Sequence, residues 1–184
     1  MSRKVVSALF SSVDGVVEDP FTFQFDSFDE RMGELMDRAI SPCDEVVMGR
    51  RTYDEWSEYW PAQGDDDFGG FINPVRKHVA SRTLDPASIT WNNTTLIEGD
   101  LHDFLRGLKE GEGGDITIAG SISTVRELFL AGLIDTLTLM VHPAIAGAGG
   151  RHLFREDDPT TRLELVDHEI TPAGNAVLTY ALRS

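Results

Sequence analysis

The chain has 184 residues, of which 41% are hydrophobic and 26% charged, a balance that folds into one compact domain and lies far from the apolar-poor mix of disordered chains. Its 31 acidic residues against 16 Lys and Arg give a formal charge of −15, which repels phosphate backbones and anionic lipid and argues against nucleic acid or membranes as partners. Cys43 is the only cysteine and the five histidines show no HxxxH or HExxH spacing, so neither a disulfide nor a metal site is expected.

Residues 4–10, rich in Val and Leu, read as a first strand that Ser11, Ser12, Val13, Asp14 and Gly15 bring to an end. A loop rich in Phe and acid follows. Ser27 with Glu30 three residues on forms a capping box, and Met32, Leu35, Met36 and Ile40 recur at helical spacing up to Pro42. Residues 45–48 form a short buried strand running into Gly49, and residues 51–60 suit a helix stopped by Pro61. The Gly- and Asp-rich stretch 62–73 is a loop or a short helical turn, 77–80 another short strand, and 89–91 and 95–97 weaker strand candidates around Asn92 and Asn93.

Asp100 caps a helix to Lys109 with Leu101, Phe104, Leu105 and Leu108 on one face and Gly111 past its end. Residues 115–119 are a strand entering Gly120 and Ser121. Thr124 with Glu127 makes a second capping box, for a helix that Gly132 ends. Residues 137–141 are a strand ending at Pro143, residues 146–150 a flexible Gly-rich turn, and 163–170 with 176–182 a closing antiparallel hairpin. Strands that alternate with helices imply a mostly parallel sheet covered on both faces, made mixed by the hairpin, in one domain over residues 1–184. The N-terminus lacks a signal peptide's longer apolar run and no segment reaches the ~20 apolar residues of a membrane span, so the expected location is cytoplasmic.

Arg50, Arg51, Arg76, Lys77 and Arg82 fall in one stretch of an otherwise acidic chain, as a small-anion site or as scattered, solvated charges. Gly49, Arg50, Arg51 and Thr52 join a strand end to a helix start, where free amides and the helix dipole favour an anion and two guanidiniums suit a phosphate. The alternative is that both arginines are surface residues and Gly49 merely turns the chain. Ser81, Arg82 and Thr83 follow another strand, as a second anion turn or an ordinary polar one. Ala119, Gly120, Ser121 and Ile122 are a third strand-to-helix turn, in which a glycine lets the backbone approach a diphosphate. Neither a GxGxxG fingerprint nor a P-loop is present.

In chain order, SSVDG, MGRRTY, SRT, ITIAGS, LIDTLTLMVHP and GAGGRHLF resemble the dihydrofolate-reductase-like superfamily, and within it the reductase domain of the bacterial riboflavin-pathway deaminase-reductase and its stand-alone relatives. The resemblance implies an α/β three-layer fold and NADPH as cofactor. By it, Gly49, Arg50, Arg51 and Thr52 grip the adenosine 2′-phosphate and neighbouring phosphates, Ser81, Arg82 and Thr83 lie at the adenosine end, and Ala119, Gly120, Ser121 and Ile122 hold the diphosphate. Ala8 is the small residue against which the nicotinamide lies.

The implied activity is hydride transfer to a pyrimidine- or pteridine-like heterocycle, closest to 5-amino-6-(5-phosphoribosylamino)uracil, with a dihydrofolate-reductase-type enzyme or a non-catalytic nucleotide-binding relative as alternatives. Asp14 and Asp29 are the candidate catalytic carboxylates, with Asp26 and Glu30 near the second. As a departure from the riboflavin-pathway enzyme, no zinc-binding deaminase portion is expected ahead of the reductase-like part. Basic residues for a ribose phosphate are not obvious, Arg151 and Arg155 being either that or rim charges. A homodimer is expected, through the apolar stretch 133–141.

Overall fold

The structure, a computed structural model, describes residues 3–64 and 67–183. Its strands are β1 (Val5–Ser12), β2 (Cys43–Gly49), β3 (Arg76–Ala80), β4 (Thr94–Leu96), β5 (Asp115–Gly120), β6 (Thr136–His142), β7 (Leu163–Ile170) and β8 (Ala176–Leu182). The helices are α1 (Phe21–Gln24), α2 (Glu30–Ile40), α3 (Arg50–Tyr59), α4 (Asp67–Ile72), α5 (Leu101–Glu110) and α6 (Ile122–Leu130). The strands form one sheet in the order β4-β3-β2-β5-β1-β6-β8-β7. Pairing is parallel from β4 across to β6, whereas β8 runs antiparallel to both β6 and β7.

Alternation along each strand sorts the core into two layers. Val47, Ile116, Ile118 and Leu137 pack with Leu105 of α5 and Val125, Leu128 and Phe129 of α6. Their strand neighbours Val46 and Met48 point the other way, to Tyr53 of α3 and Ile72 of α4, and on that same face Ala8, Phe10 and Met140 meet Met32 and Leu35 of α2. Leu128 and Phe129 are fully buried, a stabilisation of about 1.5–3 kcal/mol each. The three-layer α/β arrangement, mixed sheet and terminal antiparallel hairpin agree with the sequence.

Three local expectations change. Asp29, not Ser27, caps α2: its carboxylate accepts the Met32 N–H at 2.8 Å, while the Ser27 hydroxyl lies 2.7 Å from His142 Nδ1. Ser121, not Thr124, is the cap residue of α6, and no side chain bonds the first amides of that helix, because the hydroxyls of Ser121 and Thr124 both crowd Gly49. Residues 89–91 form no strand; Asp85 caps a short 3-10 turn at Pro86–Ser88, Trp91 drops into the core, and β4 starts only at Thr94. The apolar stretch 133–141 enters interior strand β6, bonded to β1 on one side and β8 on the other, with Ile134, Leu137 and Met140 buried in the core. Of the stretch 62–73, residues 65 and 66 lie outside the described residues, and α4 accounts for its second half.

Two of the five clustered cations serve the fold. Lys77 is fully buried and its ammonium donates to the carbonyls of Ile72, Asn73 and Val75 at 2.9, 3.0 and 2.8 Å, with the Trp91 ring centroid 4.6 Å away. Arg76 opens β3 and pairs with buried Glu45 at 2.7 Å. No helix among the described residues is long and apolar enough to cross a membrane.

Candidate active site

Because β1, β2, β3, β5 and β6 run parallel, their last residues Ser12, Gly49, Ala80, Gly120 and His142 share one edge of the sheet. The chain leaves β1 for β2 on the far side of β5, and leaves β5 for β6 on the far side of β1. Such a reversal opens a crevice at the carboxyl edge, where ligands of open α/β sheets bind.

At that edge the turns entering α3 and α6 touch. A Cβ on Gly49 would lie 2.4 Å from Ser121 Oγ and 2.6 Å from Thr124 Oγ1, and one on Gly120 would lie 2.4 Å from Thr52 Oγ1. Only glycine allows either approach, and Gly120 also has φ +148°. Neither helix has a side-chain cap, so the free amides of two N-termini open side by side, with their dipoles adding to the attraction for an anion. Arg50 and Arg51 project from the first turn of α3 and are exposed. Arg50 bonds Asp54 at 3.2 Å and the Thr83 hydroxyl at 3.1 Å, which draws the turn after β3 into the same edge. Within that turn the Ser81 hydroxyl accepts the amides of Thr83 and Leu84 at 3.2 and 3.0 Å, and Arg82 is exposed. Ala119 packs beside the α3 cluster, and Ala8 stands opposite Thr138 of β6.

Residues 13–17 form a rim with residues 144–152. Val13 N–H donates to Ala144 at 2.8 Å, Val17 N–H to Arg151 at 2.9 Å, and Val16 bridges His152. Asp14 stands at the tip, where its carboxylate accepts the Ser12 hydroxyl at 2.6 Å and the amides of Ala146 and Gly147, each at 2.9 Å. These bonds, that of Ser12 above all, pull its carboxyl down to about 2. Asp14 is thus ionised at neutral pH and braces the Gly-rich turn. Behind the rim lies a cavity of about 550 Å³ between Ile122, Ser123 and Arg126 of α6 and residues 150–156, including Arg151 and Arg155, a size suited to a small ligand. Arg126 is held there by a two-pronged pair with Asp158.

Asp29 stands apart from Asp14 and shares no partner with it. Besides capping α2, its carboxylate accepts the Ala173 amide in the β7–β8 turn at 2.8 Å. Burial pushes this carboxyl up, but the amides of Ala173 and Met32 and the Thr171 hydroxyl outweigh it and the net shift is downward. Next to it His142 is fully buried against Phe10 and Phe23, and burial pushes its pKa down, so the ring is neutral. Cys43 is buried and its thiol pushed up to about 12 by that burial, which leaves it no nucleophile. Glu18, Arg126 and His142 were not singled out in the sequence; their partners lie 32–133 residues away, and no local pattern marks them.

The layers, the strand order and the crevice define a dihydrofolate-reductase-like fold. Dihydrofolate reductase from Enterococcus faecalis superposes with a TM-score of 0.62 at 14% identity over 100% of both chains, and a putative riboflavin biosynthesis protein from Shewanella sp. PV-4 with a TM-score of 0.72 at 22% identity, again over 100% of both. The model of the RibD C-terminal domain matches residues 3–177, and the chain belongs to that family. The uncharacterized protein YyaP of Bacillus subtilis is 25% identical over 183 residues, 97% of this chain and 94% of its own.

Proposed function

We propose that the chain is an NADPH-dependent reductase that acts on a C=N or C=O bond of a pyrimidine- or pteridine-like heterocycle, the nearest named reaction being reduction of 5-amino-6-(5-phosphoribosylamino)uracil. The observation that carries the proposal is the side-by-side opening of two uncapped helix N-termini beside Arg50 and Arg51. Membership of the RibD C-terminal domain family supports the reductase chemistry, and the Enterococcus faecalis enzyme of the same fold is a complex with NADP(H).

The residues present fit such a cofactor. Gly49 and Gly120 let the α3 and α6 turns close on each other, which sets the two helix N-termini side by side, and the donors are amides and guanidiniums, the groups that bind phosphates best. When bound, NADPH supplies the hydride. The chain's own part is to hold and orient. Gly49, Arg50, Arg51 and Thr52 take the 2′-phosphate side, Ser81, Arg82 and Thr83 border the adenosine end, and Ala119, Gly120, Ser121 and Ile122 take the diphosphate. Ala8 leaves room for a flat ring on the sheet. Asp14 fixes the Gly-rich turn, and since Asp14 and Asp29 are both ionised and engaged with backbone amides, the proton comes from an ordered water.

Turnover is tested by following NADPH oxidation with the aminouracil phosphate and with dihydrofolate. The Arg50→Ala/Arg51→Ala variant should lose about tenfold or more in kcat/KM, about 1.4 kcal/mol. The engagement of both carboxylates favours one second reading, a nucleotide-binding protein without turnover; tight NADPH binding with no oxidation by any such heterocycle would establish it.

A further inference from the structure

The carboxylate of Glu18 is the meeting point of two arginines from distant parts of the chain. Its Oε1 accepts Arg51 Nη2 at 3.0 Å and Arg151 Nε at 2.8 Å, and its Oε2 accepts the Arg151 backbone amide at 3.3 Å. Arg51 belongs to the first turn of α3, and Arg151 lines the cavity beside α6. The Glu18 side chain is 17% exposed, against 52% for Arg51 and 45% for Arg151, so the anion sits inside and the cations reach in to it. Arg151 holds this carboxyl below its usual range, which keeps it ionised at neutral pH.

We infer that Glu18 is an internal counter-anion that sets which ligands the site accepts: an entering phosphate must take Arg51 and Arg151 from it, so the site prefers linked phosphates to a single one. The inference rests on the dinucleotide reading of this edge and adds a specificity-determining residue to it. Arg51 also bonds Glu55 at 3.0 Å, so the two arginines already face two carboxylates and the local charge is close to balanced. A single phosphate that displaces Glu18 exchanges one anion for another and gains little. A diphosphate reaches as well the uncapped amides of α3 and α6, which make no bond to Glu18, and that surplus drives the exchange. The Val17–Arg151 backbone bond holds the rim in place, so release needs only rotation of the Glu18 side chain, and partly exposed ion pairs resist such rotation weakly.

Glu18→Gln keeps the size of the side chain and removes its charge. Binding of inorganic phosphate, inorganic pyrophosphate and NADPH to the wild type and the variant, measured by calorimetry at low ionic strength, tests the inference. The variant should gain affinity for both inorganic anions, by about tenfold each, so that the single phosphate, which gains little against Glu18, binds measurably once the counter-anion is gone. Adding Arg51→Ala should abolish the gain, and Glu18→Ala should reproduce it. Unchanged or weaker binding of both inorganic anions by Glu18→Gln overturns the inference and makes Glu18 a positioner of the arginines. If NADPH binds neither protein while the inorganic anions gain as described, the dinucleotide reading falls and the counter-anion role stands.

Discussion

Thr52 and Gly120 meet where the first turn of α3 lies against the end of β5, and a methyl group on Gly120 would stand 2.4 Å from the Thr52 hydroxyl. This contact, with that of Gly49 against Ser121 and Thr124, aligns the two helix N-termini. Gly120→Ala should therefore destabilise the protein by about 1–3 kcal/mol through overpacking, with added strain from the positive φ, and should weaken NADPH binding. Urea unfolding gives the first quantity and cofactor titration the second; Thr52→Ala in the same chain should recover part of the stability.

Asp14 gives an acid-side signature. Its carboxyl is held at about 2 against an ordinary 3.8, so the unfolded chain binds more protons between those values and stability falls as pH drops through them. The contribution is complete above about pH 4. Urea midpoints for the wild type and Asp14→Asn should differ at pH 6 and converge towards pH 2; a constant difference would mean that the bonds to Ala146 and Gly147 carry no charge-dependent stability.

Lys77→Met should be costly although it removes a buried charge. It strands the carbonyls of Ile72, Asn73 and Val75, and each buried group left unpaired costs about 1–3 kcal/mol. Urea unfolding should show a loss at the upper end of that range, accompanied by a change in tryptophan emission because Trp91 lies against the ammonium.

Asp29→Ala removes the cap of α2 and the tie to the β7–β8 turn at once. The cap alone is worth about 0.5–2 kcal/mol. Unfolding should show at least that loss, and hydrogen exchange should rise at Met32 and Ala173, the two amides that lose their acceptor.

Much of this was legible along the chain because it is local. The buried strand at 45–48, the Asp100 cap and the Gly49 and Gly120 turns each follow from neighbours within a few residues, and the ordered motifs carried the fold. What was not legible depends on partners far apart. Ser27 fits a capping box with Glu30, yet its hydroxyl meets His142 of β6, 115 residues on, and the cap passes to Asp29. Thr124 likewise fits a capping box, but its hydroxyl faces Gly49. Asp14 is a turn residue by pattern, and its acceptance of the Ala146 amide spans 132 residues.

The central claim is that the α3 and α6 N-termini, with Arg50 and Arg51, hold the phosphates of a phosphorylated dinucleotide. Titration with NADPH and, in parallel, NADH, followed by nicotinamide fluorescence, tests it most directly. NADPH should bind about tenfold more tightly, a difference of about 1.4 kcal/mol, and Arg50→Ala/Arg51→Ala should erase that preference. Failure of both cofactors to bind, or a preference that survives loss of both arginines, would contradict it.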